Sequence, residues 1–71
     1  MPIIEVTLVE GRTPEKKDAL IRALTDAAEQ SLGAPRESIR VLLREIPDAH
    51  FAVAGVSFAA RKAAAALKEA S

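Results

Sequence analysis

Three residues of this chain have the chemistry to move a proton within a small anion. Pro2 follows Met1, and a small residue at that place usually permits removal of the initiator Met. Its nitrogen then becomes a free secondary amine, the one kind of proline nitrogen that can act as a base, because every internal one is locked in an amide. Arg12 closes the turn Glu10-Gly11-Arg12-Thr13, and Arg40 opens the apolar stretch Val41-Leu42-Leu43. A guanidinium never deprotonates at working pH and grips a carboxylate through two parallel N–H bonds, which lysine cannot do. Cations beside an amine, together with an apolar wall, disfavour its protonated form and lower its pKa, as a base requires. Singly, each residue has an ordinary explanation: an incidental proline near a terminus, a solvated turn and an edge-strand charge.

The elements that position them are readable from periodicity. Ile3 to Val9 reads as a strand, with Ile4, Val6 and Leu8 on one face and Glu5 and Thr7 interrupting the other. Thr13-Pro14-Glu15 starts a helix: Thr13 can cap it, Pro14 suits its first position and Glu15 its positive dipole end. Leu20, Ile21, Leu24, Ala27, Ala28 and Leu32 recur at helical spacing, and Gly33-Ala34-Pro35 ends the helix. Ile39 to Ile46 reads as a second strand, with Ile39, Val41 and Leu43 facing one way and Arg40, Leu42 and Arg44 the other. Strand, helix and strand make a βαβ unit with parallel strands and a right-handed crossover. Ala52 to Val56 reads as an extended or hairpin segment turning at Gly55, and Ser57 caps an Ala-rich helical tail through Ala70. The fold class is α+β: one domain, residues 1–71, a short βαβ unit with a C-terminal hairpin and helical tail. In that topology Arg40 lies near the Pro2 end, while Arg12 is a full strand length away. One chain does not easily gather all three.

Composition points to assembly. Of 71 residues, 49% are apolar and none is Cys, so a small domain with much apolar surface has no disulfide to hold it. A two-stranded unit also leaves sheet edges open to other chains. With a single His and no thiolate, a multi-histidine or cysteine metal site within one chain is excluded. Ten basic and ten acidic residues, with no Trp or Tyr, lack the footprint of a nucleic-acid binder. No apolar run approaches membrane-spanning length and no secretory signal pattern is seen, so a cytoplasmic location is expected.

Pro2-Ile3, Glu10-Gly11-Arg12, Ser31-Leu32-Gly33-Ala34-Pro35, Ser38-Ile39-Arg40-Val41, Glu45 and His50-Phe51 resemble, in order and spacing, the 4-oxalocrotonate tautomerase family. The match runs from residue 2 to about residue 55. The resemblance implies a cofactor-free tautomerase acting on a 2-hydroxydienoate or similar dicarboxylate or enol acid, and a homo-oligomer such as a hexamer built as a trimer of dimers. It implies Pro2 as general base and Arg12 and Arg40 as the cations that hold a carboxylate and the developing enolate. It also implies Phe51 as the apolar wall beside the proline, with Val9 as a further substrate-binding residue. His50 receives no role, and Arg44 and Arg61 read as solvated charges, either able to border a pocket. Where relatives are glycine-rich after the Phe, this chain has Ala52-Val53-Ala54-Gly55, and no carboxylate there to activate water, which argues against a hydratase. The alternative from another class is a non-catalytic oligomeric or binding protein on the same scaffold.

Overall fold

The computed structural model describes residues 1–70, with side chains through residue 67, so Ser71 of the expected domain lies outside the described residues. Strand β1 (Ile3–Val9), helix α1 (Pro14–Leu32) and strand β2 (Arg40–Ile46) form the expected unit. The strands pair in parallel from Ile3 opposite Arg40 to Val9 opposite Ile46. Two further bonds extend the ladder, Arg40 N–H to the Pro2 carbonyl and Glu10 N–H to the Ile46 carbonyl, each at 2.9 Å. A 3-10 turn, Arg36–Ser38, precedes β2, so the second strand begins at Arg40 rather than Ile39, which instead caps the turn and is buried.

Helix α1 begins and ends as its sequence dictates. Thr13 Oγ1 accepts from the Lys16 N–H at 3.3 Å, Pro14 holds the first position, and Gly33 closes the helix at φ 66° with its N–H on the Glu29 carbonyl. The helix lays Leu20, Ile21, Leu24 and Ala28 towards the face of Ile4, Val6, Leu8, Val41 and Leu43. Lys17 reaches Glu45 at 2.8 Å across this contact. Ala27 and Leu32, part of the apolar stripe in sequence, are exposed. A helix of 19 residues is about 28 Å long, whereas a strand of seven spans about 23 Å, so the last turn overhangs the sheet. Ahead of β2, Arg36 ties the 3-10 turn back to α1 through Asp26 at 2.7 Å and Glu29 at 3.3 Å. The Asp26 bond foremost raises the guanidinium above its ordinary pKa.

The opposite sheet face carries Ile3 and Leu42 in the open, 60% and 41% exposed, with Glu5 and Arg44 paired at 3.5 Å beside them. Only Ala28 and Ile39 are buried apolar residues among those described, and no large side chain is fully enclosed. The radius of gyration is 16.9 Å, against about 11 Å for a compact domain of this length. The exposed surface of 5312 Å² exceeds the roughly 4,200 Å² of a folded monomer of this mass. Among the described residues no helix is long and apolar enough to cross a membrane.

The chain ends in strands β3 (Ala52–Val53) and β4 (Val56–Ser57), a small antiparallel hairpin, and helix α2 (Phe58–Ala70). Ser57 Oγ accepts from the Ala60 N–H at 3.1 Å and caps α2, as its place in the sequence suggests. Ala54 and Gly55, between the paired Val53 and Val56, both have positive φ, 54° and 80°, the mark of a type I′ turn. Gly55 adopts this freely; Ala54 carries about 1 kcal/mol of steric cost. Ala54→Asn, which creates the favoured Asn-Gly pair, should stabilise the fold by about 0.5–1 kcal/mol, and Ala54→Val should destabilise it. Urea midpoints of the three proteins at matched concentration measure this, and a lower midpoint for Ala54→Asn would refute the turn assignment.

Candidate active site

Pro2 is placed by the first bond of the ladder. Proline has no N–H to give, but its carbonyl accepts from Arg40, so the start of β1 is pinned to the start of β2 and Pro2 sits half-buried beside Arg40. The Arg40 side chain folds back over the preceding turn, its Nη1 donating to the Glu37 carbonyl at 2.6 Å. This is one half of the predicted constellation, assembled by backbone pairing alone.

The other half gathers at the far end of the same strand. Gly11 takes φ 126°, a conformation that side-chain-bearing residues rarely adopt. The chain doubles back there, and Arg12 Nη1 donates to the Val9 carbonyl at 3.3 Å. A 3-10 turn, Asp48–His50, then delivers Phe51 to this end. Together Val9, Glu10, Arg12 and Phe51 border an open cavity of about 430 Å³, completed from α2 by Phe58 and Lys62. In sequence Phe51 was expected beside Pro2. Within one chain it stands with Arg12 and Val9 instead, about 23 Å of strand away from Pro2.

The charges at the two ends are available for a ligand. Arg44 pairs with Glu5, and Arg36 with Asp26 and Glu29. Arg12 and Arg40 have only backbone carbonyls as partners among the described residues. A carbonyl dipole leaves a guanidinium's full charge and most of its five donors free to meet a carboxylate. Arg61 donates to the Val53 carbonyl at 3.0 Å and braces the hairpin, and His50 is exposed.

Phe58 and Lys62 border the cavity and were not singled out by sequence reasoning. Phe58 packs edge-to-face on Phe51 with ring centroids 4.6 Å apart, and its N–H bonds the Phe51 carbonyl at 2.8 Å. The signal was present in the sequence: these are the only two aromatics of the chain, seven residues apart across a hairpin.

A family model described as Tautomerase enzyme matches residues 2–61. A probable tautomerase of Ralstonia nicotianae is 61% identical over 62 residues, 87% of this chain and 89% of that protein. The 2-hydroxymuconate tautomerase of Pseudomonas sp. strain CF600 is 47% identical over 55 residues, 78% of this chain and 87% of that one. Among solved structures, a heterohexamer 4-oxalocrotonate tautomerase from Chloroflexus aurantiacus superposes with a TM-score of 0.79 at 37% identity, covering 83% of this chain and 95% of that chain.

With no Trp or Tyr in the chain, the phenylalanine bands of its near-ultraviolet circular dichroism report on the Phe51–Phe58 pair. Phe58→Leu keeps apolar bulk and loses the edge-to-face pair, so those bands should collapse and stability should fall by about 0.5–1.5 kcal/mol. Retention of the bands and of the urea midpoint would refute the pairing.

Proposed function

The chain belongs to the tautomerase family, enzymes of the 4-oxalocrotonate tautomerase type that need no cofactor, and on that premise we propose that it moves a proton within a 2-hydroxydienoate such as 2-hydroxymuconate. Once Met1 is removed, the Pro2 amine takes the proton of the enol hydroxyl and a proton is returned to a carbon of the diene. The enol becomes a keto acid, with no atom gained or lost. One arginine holds a carboxylate and the other faces the oxygen on which charge builds, where a fixed cation lowers the barrier selectively. Phe51 and Val9 keep water from the amine.

The observation that carries this reading is the division of the constellation. Pro2 with Arg40 occupies one end of the β1–β2 ladder, Arg12 with Phe51 and Val9 the other, and among the described residues neither arginine is paired with a carboxylate. Two such halves from neighbouring chains make one complete site. The excess of exposed surface and the open apolar sheet face favour the same assembly, and the homologous heterohexamer suggests six chains, a trimer of dimers. Dissociation would then accompany unfolding. Sedimentation equilibrium at micromolar concentration should return a hexamer; a stable folded monomer would refute the assembly.

Arg12→Ala and Arg40→Ala should each lose charge-assisted contacts of about 1.5–3 kcal/mol, or roughly 10- to 150-fold in kcat/KM, with Lys restoring only part. Mixed oligomers refolded from the Arg12→Ala and Arg40→Ala chains should regain activity, because some sites then draw both wild-type halves. No regain in mixtures shown by mass to be mixed would sink the shared site.

The base is tested by processing. As a free α-amine Pro2 would titrate near or above the usual range of about 7.7–8.0. Arginine cations and an apolar wall disfavour its charged form, so the ascending limb of kcat/KM against pH should fall near or below neutrality. Phe51→Ala should admit water and move the limb upward. Protein retaining Met1, verified by intact mass, should lose the limb and nearly all activity. Equal rates in the processed and unprocessed forms would exclude Pro2 as the base.

A further inference from the structure

We propose that the first turns of α2 are part of the substrate site and that Lys62 acts there as a second cation, selecting substrates with an anionic group remote from the reacting enol. The inference rests on reading the cavity beside Arg12 as half of the tautomerase site, and it adds to that reading a residue that fixes specificity. Phe58 and Lys62 are four residues apart in α2, so they lie on one helical face, and both border the cavity. The face is held in that orientation by three bonds. Ser57 caps the helix, Phe58 N–H bonds the Phe51 carbonyl, and Arg61 bonds the Val53 carbonyl. An edge-to-face aromatic corner at one level and an ammonium one turn further along suit a flat conjugated acid with a charge at its far end.

The charges must be counted from every wall. Arg12 and Lys62 are the cations on the cavity, Glu10 is the carboxylate on its lip, and Asp48 Oδ2 stands 3.1 Å from Lys62 Nζ. The Lys62 side chain is 68% exposed, so its pair with Asp48 is of the weak, solvent-screened kind. An ammonium has three donors, and among the described residues this one uses a single donor on Asp48, which leaves two for an incoming carboxylate in the cavity that Arg12 also lines. The competing explanation is that Lys62 merely braces α2 against the turn that bears Asp48. The two predict opposite behaviour when Asp48 is neutralised.

The test compares kcat/KM of the wild type, Lys62→Met, Lys62→Arg and Asp48→Asn on a 2-hydroxydienoate bearing two carboxylates and on one bearing a single carboxylate. Lys62→Met should reduce the preference for the dicarboxylate by about tenfold, chiefly through KM. Lys62→Arg should keep most of that preference, and Asp48→Asn should keep or increase it. A wild type active on both acids whose preference survives Lys62→Met overturns this inference alone, as does an Asp48→Asn variant that reproduces the loss. A wild type active on neither acid overturns the reading of the site and this inference together.

Discussion

Two parallel strands bridged by one helix can cover a single face of a sheet, and that constraint governs the remainder of this molecule. Helix α1 takes the face of Ile4, Val6, Leu8, Val41 and Leu43, while Ile3 and Leu42 stay in water on the other. Parallel pairing also puts like ends of the strands together. The start of β1 therefore meets the start of β2, and Pro2 meets Arg40; the loop after β1 can only deliver Arg12 to the opposite end. The shortage of interior and the separation of Pro2 and Arg40 from Arg12 and Phe51 thus have one cause, and the proposed association of chains would answer both.

The β1–α1–β2 unit was legible in sequence because its signals are local and mutually consistent. Alternation in Ile3–Val9, the cap at Thr13 with Pro14, and the stop at Gly33 each name one structure. The hairpin and Ser57 cap were legible for the same reason. What sequence misplaced depended on lengths and on space. Leu32 carries the helical period but lies beyond the reach of a shorter sheet. The expectation that Phe51 lies beside Pro2 concerns a neighbouring chain; within one chain Phe51 is set by the Asp48–His50 turn and by Phe58, at the Arg12 end. Lys62 drew no reading from the sequence, because nothing local to it reveals that α2 turns that face to the cavity.

Cations of one type are used here in two ways. Arg36 and Arg44 face carboxylates and fasten structure, α1 to its following turn in one case and two strands in the other. Arg12 and Arg40 rest on peptide carbonyls, which orient a guanidinium without neutralising it. The distinction is invisible in composition, where ten positive and ten negative charges cancel. It appears only once each side chain's partner is known, and it separates structural from ligand-ready charge among residues of the same type.

The bond from Arg40 to Pro2 uses the proline carbonyl, and the imino nitrogen takes no part in the ladder. Met1 lies outside β1 and is 79% exposed. Cleaving it removes neither a donor nor an acceptor from the sheet, since a prolyl amide and a prolyl amine are alike in giving the ladder no N–H. The chain can therefore complete its fold before maturation. On the proposed reading of Pro2, a single hydrolysis would change the electronic character of one nitrogen and leave the ladder beside it unaltered, so folding competence and chemical competence would be acquired in separate steps.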